Sequence, residues 1–386
     1  MSAAYIVEAV RTAGGRRKGA LAGVHPADLG ATVLDALVTR AGIDPATIED
    51  VLMGCVTQGG EQAFAFGRNC VLASGLPDSV PSVTIDRQCG SSQQALQFAA
   101  QAVMSGTQDL VIAAGTESMT RVPMFSNMSV YEKMGIGTGP FAPSIQERYG
   151  VPAFSQFTGA QMVADRHGLT REAMDRFALD SHRKAAAAIQ SGAFDAEIVP
   201  VATANGAFAQ DEGVRFDATL EGIGALDPLT EGGTITAGNA SQMTDGASGV
   251  LVASEAALKT HGLTPLARIH AFGVSAGDPV VMLEEPLPGT RKLLARTGLS
   301  LADMDLYEVN EAFASIPMAW AKALEADPAK LNVNGGAIAL GHPLGASGTK
   351  LMTTLIHALK ARGGRYGLQT MCEGGGMANV MIVEAM

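Results

Sequence analysis

Apolar residues recur along this chain in two alternating rhythms. Short runs such as DLVIAAG (109–115) are apolar almost throughout, as strands covered on both faces are. Between such runs lie longer amphipathic stretches, like the one that follows Cys89, whose spacing predicts helices. The opening MSAAYIVEAVRT reads as a strand. Strands alternating with helices imply βαβ units and mainly parallel sheets.

The rhythm repeats. RAGIDPATIEDVLMG (40–54) and RTGLSLADMDLYEVN (296–310) both start Arg-x-Gly, pass a polar turn and end in a strand, at an offset of 256 residues. CGSSQQALQFAAQAVMSGTQDLVIAAG (89–115) parallels GHPLGASGTKLMTTLIHALKARGGRYGLQTMC (341–372), with Cys89 near His342 at an offset of 253. Two matches at nearly one offset predict a duplicated α/β fold, each half reading strand, helix, strand, helix, strand.

Residues 119–241 break the pattern with Gly-, Pro- and Ser-rich stretches around one strong helix at about 171–191. So long a connection is more than a linker, and predicts a loop-rich insertion that carries binding surface. The resulting division is a first half of 1–118 with 242–266, an inserted 119–241, and a second half of 267–386.

Composition narrows the function. The 386 residues are 47% hydrophobic and 17% charged, with 46 glycines. That suits a large packed core and not a disordered chain. A net charge of -11 argues against nucleic acid, which needs a basic surface, but leaves room for a phosphate-bearing ligand. There is no signal-peptide pattern, no apolar run long enough for a membrane span and no C-terminal address motif. Cys55, Cys70, Cys89 and Cys372 lie far apart without a CxxC pair, so neither a metal site nor a disulfide framework is expected, and a reducing cytoplasm is.

Candidate chemistry gathers at strand ends. Cys89 follows the apolar VPSVTID (80–86) and opens a helix, whose N-terminal dipole would favour a thiolate. It is either a nucleophile or a buried packing residue; Cys55 and Cys70 read as core. His342 lies in NGGAIALGHPLGASG (334–348), where glycines let a ligand approach and Pro343 fits a first helical turn. It is either structural or a base able to take a thiol proton. His167, His182 and His261 look exposed. Cys372 precedes Gly374–Gly376, whose amides could cradle an oxyanion. Asn310, closing a buried strand, needs a partner, which a water would supply. Two cysteines and a histidine at strand ends point to acyl transfer through a thioester, with a second proton transfer at carbon.

DRQCGSSQQAL (86–96), AAGTESMTRVPM (113–124), TAGNASQMTDGAS (236–248), VNEAFA (309–314), GGAIALGHPLGASG (335–348) and CEGGGMAN (372–379) resemble the motifs of the thiolase family, over essentially the whole chain. The resemblance implies two similar halves in five layers, α-β-α-β-α, with a loop domain inserted in the first. It implies a homodimer or homotetramer that needs no metal or redox cofactor and takes coenzyme A and acyl-CoA as substrates. It makes Cys89 the acylated nucleophile, His342 its base, Asn310 the holder of an oxyanion-hole water, and Cys372 the acid/base at the α-carbon of acetyl-CoA. The amides of Cys89 and Gly374 form a second oxyanion hole. Ser241 meets the pantetheine, Arg215 lies near the adenine and phosphates, and Met282 lines the acyl pocket. The activity implied is reversible thiolysis of 3-ketoacyl-CoA. Departures are Ser92, Gln93, Gln94 and Glu373, and a 155–161 segment (SQFTGAQ) without the His-Met pair of short-chain biosynthetic members. These favour a degradative enzyme over an acetoacetyl-CoA thiolase. A ketoacyl synthase and a non-catalytic thiolase-like binding protein are the remaining readings.

Overall fold

A computed structural model describes residues 2–386. Its main sheet is built from nine principal strands and two two-residue strands at the margin. The first half contributes β1 (Ala4–Thr12), β2 (Asp50–Gly54), β3 (Ser82–Ile85), β4 (Leu110–Ser118) and β5 (Thr244–Ser254). The second contributes β6 (Ala267–Ala276), β7 (Leu306–Val309), β8 (Tyr366–Glu373) and β9 (Met377–Ala385). Their spatial order is β7-β8-β9-β6-β1-β5-β4-β2-β3. The order β2-β4-β5-β1 in one half is therefore matched by β7-β8-β9-β6 in the other; β3 alone has no counterpart. The halves meet where β1 pairs antiparallel with β6 over Tyr5–Arg268 and Ile6–Ala267.

The helices repeat as the strands do. Pro26–Ala41 (α1) and Phe66–Ala73 (α2) cover one outer face, burying Val33, Leu34, Leu37, Phe66 and Cys70. Ser91–Ser105 (α3) and the last long helix, Ser347–Arg362, lie between the half-sheets. Pro286–Thr297 and Ser315–Leu324 cover the opposite outer face around Trp320 and Leu293. The expected five layers are present. The repeated Arg-x-Gly has a physical cause: Gly42 and Gly298 end their helices at φ +66° and +73°, a left-handed cap that glycine adopts without strain.

The sheet is mixed, not mainly parallel. β2 pairs in parallel with β3 and β4, and β7 with β8. The long ladders β4–β5, β1–β5, β6–β9 and β8–β9 are antiparallel. Only three residues, Gly374–Gly376, join β8 to β9, and so tight a turn cannot return a parallel strand.

The insertion between β4 and β5 holds the expected helix at Arg171–Gln190 (α4) and an unforeseen one at Gln156–Arg166, besides shorter helices. No helix among the described residues is long and apolar enough to cross a membrane. With α4 named, the outer helices of the second half become α5 (Pro286–Thr297) and α6 (Ser315–Leu324), and the last long helix α7 (Ser347–Arg362).

α3 and α7 set the position of the site. A Cβ on Gly348 would fall 2.1 Å from the backbone nitrogen of Gln93. Only glycine lets the two helix starts approach so closely, which brings together the loops that precede them.

Candidate active site

Cys89 is held by a strained turn. Gln88 before it takes φ +49°, costly for a residue with a Cβ. Ser91 fixes the turn: its hydroxyl accepts from the Arg87 amide at 2.9 Å and donates to the Gln88 carbonyl at 2.6 Å. α3 begins there, as predicted. Cys89 is half-buried against Val56, Met119, Leu344 and Met124. Its thiol is not acidified as expected. Burial pushes it up to about 12, and Glu373, Glu117 and Asp86 push the same way. Burial is the largest of these causes, and the thiol is neutral.

His342 follows Gly341 at φ +81° and is buried. Its amide donates to the Gln242 carbonyl at 3.1 Å. Its Nδ1 lies 2.5 Å from the Ser347 hydroxyl, which donates to the Pro343 carbonyl at 2.8 Å. That oxygen therefore accepts from Nδ1–H, and the ring's lone pair is left on Nε2. Asn310 Nδ2 donates toward Nε2 at 3.4 Å. Burial, helped by Lys350, lowers the imidazole to about 3, so it is neutral at pH 7 and free to accept a proton. Pro343 does not open the long helix as expected. It precedes a 3-10 turn (Leu344–Ala346), and α7 starts at Ser347.

Asn310 directly follows β7, and its amide extends the ladder to the Thr370 carbonyl at 3.1 Å. Its Oδ1 is buried without a partner. Cys372, two residues beyond Thr370, is fully buried in a cluster with Ala312, Phe313, Ile338 and Met282. Its thiol is held well above the usual range by burial first, then by Cys89 and Glu373. A Cβ on Gly374 would lie 2.9 Å from Gln88 Oε1, so the turn after Cys372 touches the turn before Cys89. The two sulfurs, His342, Asn310 and Gly374 are thus gathered from both halves.

A cavity of about 470 Å³ leads to His342 and Leu344, lined also by Met119, Met124, Arg215 and Ser241. Ser241 is fixed there by its amide, which donates to the Ala312 carbonyl at 2.9 Å. Met282, expected in the acyl pocket, lies outside this cavity, buried at φ +61° in the Cys372 cluster. His182, expected exposed, is buried; its Nδ1 accepts from the Arg215 amide at 3.2 Å, and burial lowers it to about 4.

Residues 4–256 match the family model described as thiolase, N-terminal domain, and residues 263–385 that of thiolase, C-terminal domain. The chain belongs to the thiolase family. A steroid 3-ketoacyl-CoA thiolase of Mycobacterium tuberculosis is 54% identical over 388 residues, covering 100% of this chain and 95% of that one. An acetyl-CoA acetyltransferase of Escherichia coli is 42% identical over 394 residues, with both chains fully covered. The crystal structure of the Bacillus anthracis acetyl-CoA acetyltransferase superposes with a TM-score of 0.91 at 37% identity, covering 100% of this chain and 99% of that chain.

Two supports of this thiolase site were not singled out in the sequence. Glu117 accepts from the amides of Val56, Thr57 and Gly345 at 2.9, 3.0 and 2.8 Å and from Gln62 Nε2 at 3.0 Å, tying both halves beside Cys89. Lys350, buried on α7, donates to the carbonyls of Leu340 and Gly341 at 2.6 and 2.9 Å, bracing the backbone that enters His342. The one available signal for Lys350 was a lone charge in the uncharged run SGTKLMTTL.

Proposed function

We propose that the protein is a degradative thiolase that cleaves 3-ketoacyl-CoA with coenzyme A, giving acetyl-CoA and a shortened acyl-CoA. The observation that carries this reading is the gathering at one seam of Cys89, packed against Leu344, and the buried His342, whose Nδ1 is engaged by Ser347, beside the unpartnered Asn310 Oδ1. Neither group is ionised at rest, so charge develops only as attack proceeds, where oriented dipoles count most.

As Cys89 Sγ attacks the ketone, its proton passes to His342 Nε2. The negative charge on the ketone oxygen is met by His342 Nε2–H and by a water held at Asn310. Collapse breaks the Cα–Cβ bond and leaves acetyl-CoA as an enolate, whose thioester oxygen is met by the amides of Cys89 and Gly374. Cys372 gives its proton to the carbon. In the second half-reaction Cys372 takes the thiol proton of an incoming coenzyme A, whose sulfur attacks the acyl-Cys89 carbonyl. The departing Cys89 recovers its proton from His342. Protons and charges balance without a metal or redox cofactor; coenzyme A enters as substrate.

The cavity at His342, with Ser241 along it and Arg215, Arg16 and Arg17 on its wall, fits a pantetheine followed by phosphates. The SQFTGAQ segment and the relative named as a steroid 3-ketoacyl-CoA thiolase favour substrates longer or bulkier than acetoacetyl-CoA. Phe64, Leu72 and Val83 expose apolar surface beside the edge strand β3, which fits burial in a homodimer or homotetramer; the working compartment is the cytoplasm. Thiolysis rates across acetoacetyl-CoA, longer 3-ketoacyl-CoAs and a polycyclic 3-ketoacyl-CoA test the substrate class. A Cys89→Ala variant that kept full thiolysis would overturn the mechanism.

A further inference from the structure

Each half buries a glutamate at the same point of the fold, and only one is satisfied. β2 pairs Met53 with Ala114, and β7 pairs Val309 with Thr370. The offset of 256 residues equates Ala114 with Thr370, and three residues further on stand Glu117 and Glu373. Glu117 has its four donors. Glu373 is 0% exposed, and neither carboxyl oxygen has a partner.

Its position bears on both sulfurs. Glu373 follows Cys372 in β8, and a Cβ on Gly90 would fall 1.9 Å from its Oε1. The carboxyl therefore rests on the residue after Cys89. After burial it is the largest influence raising the Cys89 thiol, and it also raises Cys372. The charged group facing it is Arg87, from the turn before Cys89, which shares a separate cavity of about 400 Å³ with Lys292 and Arg296 of α5. Residues 91–105 of α3, 374–376 of the turn and 377–383 of β9 carry no titratable side chain. A carboxylate in this setting would have little beyond the Asn379 backbone N–H to replace water, a heavy cost that the protonated acid largely avoids.

We propose that Glu373 is a positioning residue of the thiolase site: a neutral carboxylic acid under working conditions, it adds no negative charge of its own beside the two sulfurs, and its ionisation closes the site at alkaline pH. Burial lifts this carboxyl from 4.5 to about 8, with Arg87 and then the Asn379 backbone N–H pulling the other way. Below that pH, charge develops on Cys89 and on the enolate with Glu373 neutral; above it, both must form beside its carboxylate. Burial raises Glu117 as well, but there four donors favour the charged form and oppose it. The inference rests on the reading of Cys89 as nucleophile.

The test follows alkylation of Cys89 by iodoacetamide from about pH 6 to 10, read by mass on the Cys89 peptide, in the native protein and in Glu373→Gln, Glu373→Met and Glu373→Asp. Removing the ionisable group should raise the alkylation rate of Cys89 above about pH 8 by at least ~10-fold in the Gln and Met variants, with the curves converging below it. The Asp variant should keep the native curve. A second readout is thermal. The native carboxyl is protonated when folded and ionised when unfolded between about 4.5 and 8, so native stability falls as pH rises through that window. The melting-temperature gain of the Gln variant should therefore widen from pH 5 to 8.5. Alkylation curves that superimpose for native, Gln and Met proteins, or a melting gap that stays constant with pH, would overturn the proposal. Acylation of the native protein by 3-ketoacyl-CoA, measured alongside, checks the thiolase reading separately.

Discussion

The two halves share a strand order and a helix order and differ in what they do with them. Where the first half has Gly54 at the end of β2, the second has Asn310 after β7, and where the first has Thr116 the second has Cys372. The helix-start loop that carries Cys89 in one half carries His342 in the other. Glu117 is a clamp with every acceptor used, whereas Glu373 is a free acid. The first half thus supplies one reactive atom and the support around it, and the second supplies the groups that move protons. A duplication gives two equivalent sockets facing one seam, and divergence at a few strand ends turns the pair into a single asymmetric centre.

The division of labour can be broken most severely at Cys89. Cys89→Ser should slow formation of the acyl-enzyme by ~10³-fold or more, read as mass added to the protein after mixing with 3-ketoacyl-CoA, while the variant still binds CoA esters. On the other side of the seam, Asn310→Ala should lower kcat by ~10²–10³-fold with little change in KM. A drop confined to KM would show that Asn310 binds substrate and holds no oxyanion water. Cys372→Ala sharpens the contrast: exchange of the acetyl α-protons with deuterated water should fall by ~10²–10⁴-fold, with slow acylation of Cys89 surviving. Unchanged exchange would remove Cys372 from its role.

The glutamates contrast in stability. Glu117→Ala strands three buried backbone N–H groups at ~1–3 kcal/mol each, so chemical denaturation should show a loss of at least about 3 kcal/mol. The smallest effect concerns pH. Lys350 helps hold the His342 imidazole down, so Lys350→Met should raise the histidine's pKa. Because catalysis needs the neutral ring, the acid limb of kcat/KM moves to higher pH, by under about one unit since burial is the larger cause. An unmoved acid limb would mean Lys350 acts through the backbone at Leu340 and Gly341 alone.

Much of this was legible in the residues. Strand runs, capping glycines and the reactive turns gave the two halves, and α4 was visible from its length and spacing. Local pattern could not report the third dimension. The sign of the Cys89 shift was misread because a helix start is visible in sequence while the depth of burial is not. Antiparallel ladders went unseen because Gly374–Gly376 were read as an anion cradle and not also as a hairpin turn. His182 sits on a helix beside charged residues and looked exposed; its buried face shows only once the Arg215 segment packs against it. Met282, placed in the acyl pocket by resemblance, is buried in the cluster that includes Cys372 and lies off the cavity at His342.

The contact of Gly348 with Gln93 has a consequence for the life of the chain. The nucleophile leaves the ribosome 253 residues ahead of its base, so through most of synthesis Cys89 has no imidazole to take its proton. Only when α7 packs on α3 do the thiol and the imidazole share one site, so thiolysis belongs to the completed fold and to no earlier stage of the chain.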